Sequence, residues 1–157
     1  MPDLLAVRSR PNDQESSTWH PKEFQTPVSA LSAIRRIGPL PDLYESLALT
    51  YRWLAVDLVV CRLLPNPPAT DLLPLAESIY ADPVLNNSLL SAGLVRFALA
   101  PGGCYDPICF DLSRMVRGDC PVVRIDHESV LMHNTVRTVA TVFGSFRSLV
   151  VDVIESI

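Results

Sequence analysis

Four cysteines and three histidines are the side chains of this sequence best suited by type to chemistry. Cys104 follows Gly102-Gly103, and Asp126-His127 lies downstream of it. Thiol, imidazole and carboxylate form an activated nucleophile when base and thiol meet at hydrogen-bond distance. Nothing in the spacing forces that meeting, so a small thiol enzyme is carried only as an alternative and no enzyme is expected. Structural zinc sites usually pair their ligands two to four residues apart. The closest cysteines, Cys104 and Cys109, are separated by four residues and a strand start. Cys109 alternates with Ile108 and Phe110 as a core strand residue would, and Cys61 closes an apolar run, so the cysteines read as buried small hydrophobes and no metal is expected. His127-Glu128 and His133 do not match the helical metalloprotease pattern, in which two histidines four apart face one metal. Six apart, they are expected in a surface loop. Gly102-Gly103 lacks the Lys-Ser/Thr of a phosphate loop and leads into a strand, so it reads as a turn needing positive φ, and no cofactor is expected.

The remaining candidates are for binding. Asp106 precedes Pro107 at a strand start, where its carboxylate can bond nearby backbone N–H groups and set the turn. Asp106, Asp119, Asp126 and Glu128 together would make either a negative edge that meets a basic partner or ordinary solvated loop charge. Tyr105, Tyr51 and Trp19 are candidate aromatic anchors for an interface. Thirteen basic against seventeen acidic residues give a net charge of -4, and Arg35-Arg36 is the only adjacent basic pair. Phosphate binding needs clustered Lys and Arg, so nucleic acid is not an expected partner.

These residues need elements to hold them. The chain, 157 residues and 48% apolar, suits one folded domain. Residues 1–25 are polar and contain proline, and read as a flexible arm whose Trp19 and Phe24 could dock on the domain; residues 26–157 read as a single domain. Thr26-Pro27 signals a helix start, with Thr as cap and Pro at the first helical position, ending near Gly38. Pro41 opens a second helix. Arg52 to Leu64 alternates with period two and predicts one strand buried on both faces, stopped by Pro65-Asn66-Pro67-Pro68. Residues 70–80 predict a helix capped by Thr70 or Asp71, with Leu72, Leu75, Ala76 and Ile79 inward. Asp82-Pro83 ends it, and a turn rich in Asn and Ser leads to a strand at Leu94–Leu99. Short strands follow at 107–111 and 121–125, the latter ending at Asp126-His127-Glu128, with tight turns at 101–103 and 117–119; this suggests an antiparallel meander. Val136 to Val142 predicts a further extended segment. Phe146, Leu149, Val150, Val153, Ile154 and Ile157 then form the stripe of an amphipathic helix capped by Ser145.

Three segments in this order carry a family likeness. They are Leu40-Pro41-Asp42-Leu43-Tyr44-Glu45-Ser46-Leu47; Gly102-Gly103-Cys104-Tyr105-Asp106-Pro107-Ile108-Cys109-Phe110-Asp111-Leu112; and Pro121-Val122-Val123 through Asp126-His127-Glu128 to Ala140-Thr141-Val142-Phe143-Gly144-Ser145-Phe146-Arg147-Ser148-Leu149. Together they resemble the SMI1/KNR4, or SUKH, superfamily over roughly residues 27–155. Cys61-Arg62-Leu63-Leu64-Pro65 fits a strand of such domains. Thr50-Tyr51-Arg52-Trp53 stands where family members often carry a Gly-rich turn. The resemblance implies an α+β fold, an antiparallel sheet packed with helices. It also implies a protein-binding module, as in bacterial immunity proteins that neutralise toxins, often nucleases, by direct binding. A regulatory or scaffold role without a toxin is the other role the family implies.

Met1 to Pro21 has no apolar core of signal-peptide length, and no run approaches the ~18 apolar residues that span a bilayer. A cytoplasmic setting with reduced cysteines and no membrane contact is expected.

Overall fold

The computed structural model describes residues 22–155. In chain order the elements are β1 (Lys22–Glu23), a 3-10 turn (Val28–Ala33), α1 (Asp42–Thr50), β2 (Tyr51–Arg52), β3 (Val56–Asp57) and β4 (Arg62–Leu63). They continue with α2 (Leu73–Ile79), α3 (Pro83–Ser91), β5 (Leu94–Leu99), β6 (Pro107–Asp111), a 3-10 turn (Leu112–Arg114), β7 (Val122–Ile125), α4 (His127–His133), β8 (Thr138–Phe143) and α5 (Phe146–Glu155). Strands β3 to β8 form one six-stranded sheet in chain order, antiparallel at every step, and β1 pairs antiparallel with β2. The fold is α+β.

Strand alternation divides the interior in two. Ile108, Phe110 and Val122 join one cluster, while Cys109, Val123 and Ile125 join another, because successive side chains leave opposite faces of a strand. On the first face Phe97 and Phe110 stack with centroids 4.0 Å apart, and Tyr44 from α1 and Phe146 from α5 stand edge-on to them. On the second face Leu85 and Leu89 of α3 and Val130 of α4 cover Leu94, Cys109, Val123 and Ile125. A sheet covered on both faces explains why β5 is apolar almost throughout. The register shift between Arg96 and Ala98 fits one extra residue, Phe97, into β5.

The turns follow from backbone chemistry. Gly102 and Gly103 take φ of +75° and +78°, as the 101–103 turn requires. Gly118, at φ +72°, takes a backbone conformation that strains other residues, and a Cβ there would lie 2.0 Å from Asp42 Oδ2 and displace that carboxylate. The Gly118 carbonyl accepts from the Asp42 N–H at 2.8 Å, seating the turn on the start of α1.

Four expectations are corrected. The run 52–64 is not one strand but β2, β3 and β4. Trp53 and Asn66 bridge through paired N–H to O bonds of 2.8 and 2.9 Å, and the chain doubles back between β3 and β4 at a turn closed by Leu58 N–H to Cys61 O at 2.7 Å. Val59, expected inside, is 86% exposed at that tip. The Asn/Ser-rich stretch after Pro83 is not a turn but helix α3. Asp82 Oδ1 accepts from Leu85 N–H at 3.0 Å, Pro83 fills the first turn, and Leu85 and Leu89 fall on one buried side. His127 to His133 is likewise helical rather than a loop: Asp126 caps it through Ser129 N–H and Oγ, and Asn134 ends it with φ +48°. The segment after Pro27 is a 3-10 turn ending at Ala33, and the Thr26 hydroxyl does not cap it but accepts from Arg52 Nη2.

Of the expected arm, residues 1–21, Trp19 included, lie outside the described residues. Lys22–Glu23 are strand-paired, and the Phe24 ring centroid lies 5.0 Å from the Arg52 guanidinium carbon. Ile157 of the terminal stripe also lies outside; within α5, Phe146 and Leu149 are buried, and Ser145 Oγ accepts from Ser148 N–H at 3.0 Å. Among the described residues no helix is long and apolar enough to cross a membrane.

Candidate functional site

The loop between β5 and β6 meets the β7–α4 junction at one end of the sheet. Pro107 ↔ Leu99 pairing holds Asp106 just outside the ladder, and Ala100 N–H donates to its carbonyl at 2.9 Å. Its carboxylate is buried and saturated. Arg124 donates from Nε at 2.7 Å and approaches through Nη2 at 2.6 Å on Oδ2, while His127 Nδ1 stands 2.7 Å and His127 N–H 3.2 Å from Oδ1. Burial alone would raise the carboxyl; the bonds from His127, Arg124 and Cys104 outweigh it and hold Asp106 down at about 2.

Around this anchor the loop presents its neighbours differently. Tyr105 is 73% exposed, with its ring centroid 6.1 Å from that of His127. Cys104 is half-buried, and Arg124 Nη2 lies 3.4 Å from its Sγ. Among the described residues no hydrogen bond joins Cys104 to His127, because Asp106 stands between them: one oxygen holds the imidazole and the other the guanidinium that contacts the thiol. The arrangement fixes a loop and orients an imidazole; it does not pair a thiol with its base.

The five residues singled out for partner binding are placed unequally. Tyr105, Asp106, Asp126 and Glu128 gather at the β6–β7–α4 end. Asp119 sits at the other end of β7, where its carboxylate accepts from Phe146 N–H at 2.9 Å and Arg147 N–H at 3.3 Å and seats the start of α5. Asp126 is spent on the α4 cap, and Ser129 holds its carboxyl below the usual range. Glu128 is exposed. Three of the four carboxylates are therefore tied to the fold, which leaves Tyr105 and Glu128 as the side chains of this set that face solvent freely. Tyr51 instead lines an apolar cleft of about 610 Å³, its open mouth included, between α1, β4 and α5, with Leu47, Trp53, Leu149 and Val153.

Sequence reasoning did not pick out Arg124 as a functional residue or as the partner of Asp106. Its signal was a lone cation inside the apolar run Val122–Ile125, which needs an acceptor of some kind nearby. The other thiols are buried, and burial pushes Cys61 and Cys120 up to about 12 and Cys109 higher still. Among the described residues no group of His, Cys, Asp and Glu could hold a metal ion.

Comparison of the chain with family models, with curated proteins and with solved structures finds no match.

Proposed function

We propose that this chain is a cytoplasmic protein-binding module of the SMI1/KNR4 kind that neutralises a toxin by covering its active surface. The observation that carries this is Tyr105: a large aromatic side chain, 73% exposed, on a loop whose next residue is pinned by Arg124 and His127. An exposed aromatic on a rigid support loses little conformational entropy on binding, and such residues dominate interface energies. Glu128 and the overall charge of -4 favour a basic partner, steering its approach. The order of motifs from Gly102 to Leu149 supports the family. A regulatory or scaffold role would use the same loop without a toxin.

The polypeptide encoded beside this gene is the partner to assay. Titration calorimetry of the two purified proteins is expected to show a complex that Tyr105→Ala weakens by roughly tenfold or more, about 1.4 kcal/mol, with the thermal midpoint unchanged. The absence of a complex with that polypeptide would remove the toxin reading. Unchanged affinity in Tyr105→Ala would remove the loop from the interface.

A further inference from the structure

The cleft between α1, β4 and α5 is apolar throughout and open to solvent. Every side chain that lines it is aliphatic or aromatic, among them Tyr51, Trp53, Leu58, Leu63, Leu149 and Val153. One of its walls belongs to the strand that holds the start of the described chain. Strand β1 pairs with β2, Lys22 opposite Arg52 and Glu23 opposite Tyr51. Residues opposite each other in a sheet share a face, and successive residues alternate between faces. Odd positions of β1 therefore stand on the face of Tyr51 and Trp53, the face of the cleft. Even positions stand on the face of Arg52, and the Phe24 ring does lie there, 5.0 Å from the guanidinium carbon. Glu23 is exposed and is not among the lining residues, so the seat is left to the residues before it.

We propose that the cleft is the seat of Trp19, and that the segment before Lys22 is a strap that carries β1 on past Trp53 and lays the indole into it. Three features select this occupant. Trp19 is the only Phe, Tyr or Trp among residues 1–21, and it has the odd parity of the cleft face. It is three residues from Lys22, a reach of roughly 10 Å at most, so little chain has to be ordered to seat it. The other apolar run of the segment, Leu4-Leu5-Ala6-Val7, lies fifteen or more residues away and closes a longer loop. The backbone accommodates the same path. Phe24 N–H donates to Thr50 O at 2.7 Å, which makes the even positions of the arm the bonded ones. Position 21 falls opposite Trp53, whose N–H and C=O are both taken by Asn66, at 2.8 and 2.9 Å. No donor is wanted there, and the residue is Pro21, which has none. A residue before proline is held to extended backbone, which suits His20 to a continued strand. Trp19 in the cleft would meet Tyr51, Trp53 and Val153 and remove a large apolar side chain from water.

Acrylamide quenching of the full chain reads its two tryptophans, Trp19 and the buried Trp53. Both are expected to be shielded in the wild type. Val153→Lys, which sets a charge in the cleft wall, is expected to release one of them and raise the quenching constant several-fold. Trp19→Ala tests the seat from the other side and removes no side chain of the core described above. Anilinonaphthalene sulfonate, a dye that brightens in open apolar clefts, is expected to respond to the Trp19→Ala chain and to stay dark with the wild type. A wild-type chain in which one tryptophan is already open to acrylamide overturns the proposal, as does a dye response equal in the two chains. A dimer in sedimentation velocity that Trp19→Ala dissociates also overturns it, because the cleft would then hold the strap of a second copy. Tyr105→Ala, which tests the partner loop, leaves these readouts unchanged.

Discussion

Residues 94–155 cohere through alternating side chains packed on the two faces of β5 to β8, whereas residues 22–69 contain strands of only two residues and are tied by side chains that reach loop carbonyls. Arg52 is the centre of the second region. It is wholly buried, and among the described residues no carboxylate hydrogen-bonds to it. Nη1 donates to Ala48 O at 2.8 Å and Tyr51 O at 3.1 Å, Nε and Nη2 donate to Ala69 O at 3.2 Å, and Nη2 also reaches Thr26 Oγ1. Asn66 Nδ2 bonds two of the same carbonyls, at 3.2 and 2.8 Å. One guanidinium, with five donors in a fixed fork, thus closes the end of α1, the 69 loop and the segment before the 3-10 turn. The difference teaches that apolar packing can build regular strands, while a stretch of irregular backbone needs donors delivered to its unpaired carbonyls.

Substitutions in the two regions can break or sharpen this contrast. The largest effect is expected from Phe110→Ala, which empties the centre of the aromatic stack and lowers unfolding free energy by about 3–5 kcal/mol in urea titration. A loss under ~1 kcal/mol would mean that the stack is not the main support of the C-terminal region. Next comes Arg52→Met, which keeps the apolar stem but removes the donors and leaves Ala69 O without its partner. About 2–3 kcal/mol should be lost, read from the same titration. A neutral or stabilising result would show that packing alone suffices there too.

The smallest effect concerns the charged anchor between them in kind, Asp106. Its folded value, about 2, lies below the unfolded carboxyl. The stability it contributes is therefore present above roughly pH 4 and is lost as pH falls from there toward 2, because the unfolded chain takes up the proton first. Asp106→Asn should cost about 1–2 kcal/mol at neutral pH and flatten that acid limb, measured as urea midpoint against pH. An acid limb identical in both proteins would show that the Arg124 and His127 contacts do not stabilise the ionised form.

Much of the sheet was legible. Leu94–Leu99 and Pro107–Asp111 appear as strands within the expected bounds, and the spacing of Phe146, Leu149, Val150 and Val153 places α5, although Ile154 of the same expected stripe is exposed, because periodicity records which side of an element is buried. Helix α3 was not legible although Asp82-Pro83 carries the same start signal as Thr26-Pro27, because the polar residues Asn86-Asn87-Ser88 interrupt the four-residue repeat of Leu85 and Leu89 and have the composition of a turn. The break after Arg52 had no local mark. Trp53 leaves the alternation because Asn66 pairs with it, and Leu64 N–H is taken by Phe97 O at 3.0 Å, over thirty residues away. The candidate site was half legible: Tyr105 and Asp106 could be named from a glycine turn and an Asp-Pro step, but not that the carboxylate is buried.

The order of residues dictates where side chains repeat, where glycine must turn the backbone and where a carboxylate can cap the helix that follows it. These are interactions over a few residues, and their geometry is the same wherever the segment lies. Which charges leave water is another matter. Asp106 meets Arg124 and His127, Asp119 meets α5, and Arg52 meets Thr26 and Ala69, in each case across at least seventeen residues of chain. Local acceptors such as Ala48 O and Tyr51 O cover only part of a buried guanidinium; the rest of its hydration is replaced by distant groups, and their convergence comes into being with the packed fold.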